Sequence, residues 1–455
     1  MSQPFLHIEA DYPIPKKIKI IQEFLGEHYF DDQGLMYSQW YWNGDELRPA
    51  RRKDFSGQSV FNNSDGLAPE GVVGQENSSS TAGQFLWSQC LRYQATGEEQ
   101  ALEYAAKAYR SIEIIFELTE AAGQRGFICK PYSHQASKET SPDQYTSVML
   151  GLWAYREIAN RAVRQRIDYL LPAMADWWRE RNYQLVFFEN KWTVLPDNIE
   201  EFAPCFIALN LMAHHLTGKE VYRKEATRIL ALAGSFGTAY QRARRNWLQT
   251  GKTNWPELLH GCEYDPARRP FLQWEWEGRA VYWLAAASVD FLLRGELSLA
   301  PLLKLALANY YQFVRGSLRP DLLTWYWFQT DLERNTCHPL VRPRGSGKFP
   351  AEYLMSFNIN FYSYQSEVCY GDAALRVADV AILAHQHAPE FSPGAVPLAK
   401  ALLQSLDDRR LHHMIDPDGR QVMPEDQWMC NALSSDTPLM AVLAWWRAKV
   451  AGIEL

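Results

Sequence analysis

Helix-like segments in this chain come in pairs, and the connections between segments alternate in length. Within a pair the connection is a tight turn: Thr96-Gly97-Glu98, Asn160-Arg161, Thr217-Gly218-Lys219, Arg294-Gly295-Glu296 and His387-Ala388-Pro389-Glu390. Between pairs it is long, roughly fifteen to fifty residues against a median of about 4–6 in compact domains, and loops of that length are usually functional. Pairs stacked side by side put every long loop on one face. Chemistry is expected there.

The spacing of apolar residues predicts a first helix over Lys16–Tyr29, then pairs at Thr81–Ala95 with Glu99–Ala121, and Pro142–Ala159 with Val163–Arg181. Further pairs follow at Glu200–Leu216 with Val221–Ala233, Trp276–Leu293 with Leu299–Val314, and Gly371–His385 with Gly394–Leu406, before a last helix at Pro438–Val450. The first and last helices lack a sequence partner and are expected to pair with each other, closing a ring. One helix of each pair is apolar almost all round, as in Val148–Ala154 and Trp276–Leu293, which predicts neighbours on most sides. Its partner is amphipathic: in Glu99–Ala121 the predicted buried face is Leu102, Ala105, Ala106, Tyr109, Ile112 and Ile115. Gly151 and Ala285–Ala287 would let inner helices approach closely.

Three inner helices open with capping-box patterns, Thr81-Ala82-Gly83-Gln84, Ser141-Pro142-Asp143-Gln144 and Asp197-Asn198-Ile199-Glu200, which place inner N-termini on the long-loop face. The expected fold is therefore all-α: one (α/α)6 toroid of six helical hairpins spanning residues 1–455. An open solenoid is disfavoured, because solenoid periods are fixed near about 34–47 residues and these repeats vary widely.

A net charge of −7 argues against a nucleic-acid partner. No apolar run is long enough for a membrane span, and the N-terminus has no signal-peptide core, so a cytoplasmic location is expected. Seven scattered cysteines without a C-x-x-C pair fit free thiols. No cofactor and no metal site is implied, since His214-His215, His412-His413 and Cys337-His338 lack ligand spacing. Oligomeric state is not legible.

The inner N-termini carry acids: Asp143; Asp197, Glu200 and Glu201; Glu275 and Glu277; Glu367 and Asp372; Asp436. Each alone is explained by the helix dipole, which favours negative charge in a first turn. Together they offer the carboxyl pair that glycoside cleavage needs, one to protonate the leaving oxygen and one to attack or to activate water. Asp143 is the leading candidate, because Gln144 can supply the capping contact. Glu277 or Glu201 would be the second acid. Trp274 and Trp276 flank Glu275, and such rings could desolvate an acid and raise its pKa.

Trp40, Trp42, Trp255, Trp325 and Trp327 also fall in expected loops, as sugar platforms or as anchors that pin the loops down. Basic clusters at Arg48, Arg51, Arg52 and Lys53, at Arg242, Arg244 and Arg245, at Arg268 and Arg269, and at Arg342, Arg344 and Lys348 would suit an acidic sugar, or pair with surface acids. The expected substrate contacts are Trp40, Trp42, Gln144, Tyr145, Trp274, Trp276, Glu275 and Arg344.

The stretch Ser141-Pro142-Asp143-Gln144-Tyr145-Thr146, followed by Gly151-Leu152-Trp153, resembles the acid-bearing inner-helix starts of unsaturated glucuronyl hydrolases, within the six-hairpin glycosidase-like toroids. The resemblance covers the chain at the level of architecture. It implies that Asp143 protonates an enol ether and helps activate water. The expected function is hydrolysis of a small, uronic-acid-containing oligosaccharide. The alternatives are a lyase with a Tyr145 or His134 base, a sugar epimerase with paired histidines, and a carbohydrate-binding toroid without turnover.

Overall fold

The structure, a computed structural model, describes residues 6–42, 47–50, 73–187, 190–194, 199–232, 271–273, 307–308, 311, 315, 318–323, 327–331, 336–339, 371–411 and 432–455. It is predominantly helical. The principal helices are α1 (Ile14–His28), α2 (Ser78–Thr96), α3 (Glu99–Ala121), α4 (Pro142–Ile158) and α5 (Arg161–Glu180), then α6 (Ile199–Thr217), α7 (Glu220–Leu232), α8 (Gly371–His387), α9 (Ala395–Gln404) and α10 (Asp436–Val450). Most boundaries fall within three residues of those expected from apolar spacing. The expected helix at Trp276–Leu293 lies outside the described residues, as does most of Leu299–Val314.

The tight turns have clear physical causes. Gly97 and Gly218 end α2 and α6 in the left-handed region, at φ 71° and 66°, which a residue without Cβ adopts freely. The Asn160 side chain caps α5 by accepting from the Val163 N–H at 3.1 Å.

Helices α6, α4, α2, α10 and α8 pack side by side in that order, and α7, α5, α3, α1 and α9 pack behind them. Side-chain pairs fix the directions. Thr146 Oγ1 donates to Cys205 Sγ at 3.0 Å, and two turns on the Trp153 ring meets His215 edge-on at 5.8 Å, so α4 and α6 are parallel. Ser79 meets Gln144 and Ser80 meets Ser147, while Gly83 faces Gly151, so α2 runs parallel to α4. Thr81 bonds Ser435 at 2.7 Å and the Arg447 guanidinium covers the Trp87 ring at 4.5 Å, so α10 is parallel to α2. Arg447 also holds Asp379 of α8 at 2.6 Å.

The expected pairing of first and last helices is present. The Tyr29 hydroxyl donates to the Leu433 carbonyl at 3.4 Å, and Trp446 Nε1 donates to Gln22 Oε1 at 3.0 Å, which makes α1 antiparallel to α10.

Inner and outer helices differ as their sequences predict. In α10 every residue from Thr437 to Ala448 is buried. On α3 the buried face is rotated from the expected one. Ala101, Tyr104, Ala108 and Phe116 are inside with Ala105, Ile112 and Ile115, whereas Ala106 is exposed and Leu102 and Tyr109 only half-buried. The large Tyr104 ring decides the rotation. It packs against Phe85 of α2 with ring centres 6.1 Å apart and covers Gly26 of α1, where a Cβ would lie 2.4 Å from the ring.

Short strands, absent from the expected all-helical chain, occur in the connections. Strand β1 (Gln39–Trp42) pairs with both β2 (Leu47–Pro49) and β8 (Ala432–Ser434), in the register Trp40 opposite Pro49 and Leu433. Strands β3 (Gln184–Phe187) and β4 (Asn190–Thr193) form a hairpin, and β5 (Phe271–Gln273), β6 (Trp327–Asp331) and β7 (Thr336–Pro339) form a third small sheet. Among the described residues no helix is long and apolar enough to cross a membrane, and Cys90, Cys129 and Cys205 are free buried thiols.

Candidate functional site

The parallel inner helices deliver the first turns of α4, α2 and α10 to one face, where α1 ends and the long connections emerge. The three residues ahead of α2 are each fastened by a side chain to the segment that leads into α4 or to the first turn of α4 itself. Gln75 Oε1 accepts from the Ser133 N–H at 3.1 Å. Glu76 forms a buried ion pair with Lys130. Asn77 Oδ1 accepts from Gln144 Nε2 at 3.4 Å. Polar side chains thus run continuously from the connection after α1 to the α2–α4 seam.

Asp31 anchors the outer end of this run. Its Oδ1 accepts from the Gln33 and Leu35 backbone N–H groups at 3.0 and 2.9 Å. Its Oδ2 takes Gln75 Nε2 at 2.9 Å and His134 Nε2 at 2.6 Å. Ser133 and His134 are successive non-glycine residues with left-handed backbones, at φ 49° and 59°. Such conformations cost of order 1–3 kcal/mol each and persist where surrounding contacts over-determine them.

Deeper in, Glu139 is fully buried, its backbone carbonyl takes the Lys130 N–H at 3.0 Å, and its Oε2 accepts from the Tyr132 hydroxyl at 3.3 Å. Burial, with the Glu76 and Glu139 carboxylates nearby, pushes the Tyr132 phenol well above its ordinary range. The buried Lys130 ammonium and Glu76 carboxylate are tolerated there because each is the other's partner.

Beyond it lies a seam of small hydroxyls between α2 and α4. Ser79 Oγ donates to Gln144 Oε1 at 2.5 Å, Ser80 and Ser147 share a bond of 2.9 Å, and Gln84 Nε2 reaches both of the latter. A Cβ on Gly83 would lie 2.4 Å from the Ser147 carbonyl carbon. The helices approach closely because their facing residues are Gly and Ser.

Several sequence expectations are corrected here. The Thr81 capping box does not form: α2 begins a turn earlier, at Ser78, and Thr81 turns to Ser435. Ser141 makes no side-chain cap either: the Gln144 N–H goes to the Ser141 backbone carbonyl at 3.2 Å, and the Gln144 side chain bonds Ser79 and Asn77 across the seam instead of reaching back. Tertiary partners in a buried interface outcompete the local cap. Gln144, expected on the substrate, is therefore an interhelical residue.

Tyr145 is likewise a core residue. Its hydroxyl takes the Ile128 N–H at 2.9 Å and donates to the Gly126 carbonyl at 3.2 Å, and its ring stacks on Trp177. Burial raises its pKa well above the ordinary value. Trp40, the expected platform, is 8% exposed and stacks on Tyr29 with ring centres 5.5 Å apart, which makes it an anchor for β1.

Asp143 stands in the first turn of α4 and is half-buried. Glu201 stands in the first turn of α6. Thr146 and Cys205, about one turn further along, touch, so the two acid-bearing first turns lie side by side. Trp42 ends β1. Trp274, Glu275, Trp276, Glu277 and Arg344 lie outside the described residues. So do the capping residues Asp197 and Asn198 and every basic cluster except Arg48, whose guanidinium covers the Tyr41 ring at 5.1 Å.

The Asp31–Gln75–His134 and Glu76–Lys130–Glu139 groups escaped the sequence reading. His134 alone was singled out, as a possible base. Their only sequence signal is the dense polar run Gln75–Thr81 directly before an apolar helix.

No family model matches the chain, and no curated protein matches it. Among solved structures it is similar to a crystal structure described as a sugar epimerase from a ruminal bacterium. The TM-score is 0.55 with 11% sequence identity, over 96% of this chain and 100% of that one. At that identity the likeness is one of fold.

Proposed function

We propose that the chain is a carbohydrate-active enzyme, one (α/α)6 toroid over its whole length, that works on the face where the inner helices begin. The observation that carries this reading is the juxtaposition of the Asp143 and Glu201 first turns on adjacent parallel helices, in a fold shared with a sugar epimerase. The reaction it favours is hydrolysis of a small acidic oligosaccharide. Asp143 protonates the substrate and Glu201, or Glu277, serves as the second carboxylate. The resemblance of Ser141–Thr146 to unsaturated glucuronyl hydrolases points the same way and names the probe. Arg344 and the tryptophans at 42, 274 and 276 remain proposed sugar contacts.

Epimerisation is the second reading, favoured by the fold likeness alone. Product analysis separates the two. An unsaturated glucuronyl disaccharide incubated with the protein should lose its ultraviolet absorbance and release a new reducing sugar. Reducing sugars converted only to isomers, with no bond cleaved in any oligosaccharide, would replace hydrolysis by epimerisation.

A further inference from the structure

The connection from α3 to α4 carries Asp143 at its end, and it is held under backbone strain. Ser133 and His134 take left-handed conformations in succession, without a glycine to ease either. Both are gripped by neighbours from other parts of the chain. The Ser133 N–H donates to Gln75 Oε1, and His134 Nε2 bonds Asp31 Oδ2. The grip is itself built. Asp31 Oδ1 is fixed by two backbone N–H groups of its own turn, and Gln75 Nε2 bonds the same Asp31 oxygen as His134.

His134 is largely shielded, its side chain 18% exposed. To either side of the strained pair along the chain, Lys130 is tied to Glu76 and Gln144 to Asn77 and Ser79.

We propose that His134, Asp31 and Gln75 form a strained clasp that positions the Asp143-bearing start of α4 for catalysis. His134 is thus a positioning residue. The catalytic consequence rests on the reading of Asp143 given above, whereas the clasp itself does not. A contact that only filled space would sit on a relaxed backbone. Here the ring bond and the Ser133 bond keep two residues in a conformation they otherwise avoid. Strain of this kind makes the segment adopt one geometry rather than several.

Two substitutions at one position test it. His134→Ala removes the ring and keeps the Cβ in a left-handed backbone. His134→Gly removes the ring and relieves the strain as well. Melting temperature, hydrogen exchange of the amides in residues 130–146, and turnover of an unsaturated glucuronyl disaccharide are measured on both.

His134→Ala should melt lower by a few degrees, and His134→Gly should recover much of that loss. Exchange across residues 130–146 should be at least about tenfold faster in both, since neither holds the segment. Turnover should show kcat reduced about tenfold in both with KM little changed, so that glycine restores stability but not rate.

Unchanged exchange in both variants would overturn the clasp. Recovery of kcat along with melting temperature in His134→Gly would reduce His134 to a structural residue and overturn its positioning role. Faster exchange in both variants, with no turnover by the unsubstituted protein, would support the clasp and remove the hydrolase reading instead.

Discussion

Single atoms decide which polar residues build the interior of the molecule and which stay at its face. Tyr145 and Asp143 are two positions apart on α4, yet the phenol is locked between the Ile128 N–H and the Gly126 carbonyl while the carboxyl stays half-buried on the face. Removing the phenol oxygen leaves a buried N–H without its acceptor, a loss of about 1–3 kcal/mol. Tyr145→Phe should therefore lower unfolding free energy by that amount in denaturant titrations. A variant of unchanged stability would show that the hydroxyl is dispensable. The Glu76–Lys130 pair is a harsher case, because both side chains are almost inaccessible. Breaking a buried pair by removing one partner typically costs about 3–5 kcal/mol. Glu76→Gln should fall near the lower end, read from the shift in the urea midpoint, whereas a loss below about 1 kcal/mol would mean that the pair is solvated.

At the scale of helices and connections, small residues set the geometry. Gly83 and Gly151 face each other across α2 and α4, and a Cβ on Gly151 would lie 2.4 Å from the Gly83 carbonyl oxygen. Alanine gains about 1 kcal/mol of helix propensity over glycine. Backbone that must shift costs about 1–3 kcal/mol or more, and here the obstacle is a carbonyl, not a flexible side chain. Gly83→Ala should be net destabilising and should shift the thermal midpoint downward. A stabilised variant would contradict the close approach.

Helix positions were legible in the sequence because apolar spacing and the glycine or asparagine at each tight turn act locally. The rotation of α3 was not, since Tyr104 is placed by Phe85 and Gly26, from two other helices. The caps failed for the same reason: the Gln144 side chain meets Ser79 and Asn77, far from it in sequence, instead of the backbone just before α4. Asp143 and Glu201 could be singled out, because acids in first helical turns follow from sequence alone. The clasp could not, because Asp31, Gln75 and His134 meet only once two connections, α1 to α2 and α3 to α4, are folded together.

For the molecule as a whole, burial of phenols makes a prediction about alkali. Burial, aided by Glu27, pushes Tyr104 up to about 12, and burial, aided by Asp176, does the same to Tyr222. Tyr29, Tyr132 and Tyr145 are also raised well above the ordinary value, burial being the main cause in each. A phenol whose folded pKa exceeds its unfolded value of about 10 keeps its proton in the folded chain where the unfolded chain releases it. Its stabilisation is complete below about pH 10 and is lost as pH rises through the folded value. Lys17 acts with the opposite sign. Burial lowers its pKa, so its contribution grows with pH up to about 10.5, but it is one group against many phenols. The guanidinium midpoint should hardly move from neutrality to about pH 9 on account of these groups, and should fall steeply above about pH 10. A midpoint that rises there would refute the sign.

The parallel inner helices bring acid-bearing first turns from distant parts of the chain to one face, and in the proposed function Asp143 is the acid that uses that arrangement. The direct measurement is the initial rate of unsaturated glucuronyl disaccharide hydrolysis by Asp143→Asn beside the unsubstituted protein, with the circular dichroism of both recorded. The expected result is an unchanged helical spectrum and a rate lower by about 10²–10⁴-fold, the usual contribution of a general acid or base. A folded Asp143→Asn that hydrolyses at the original rate would contradict it.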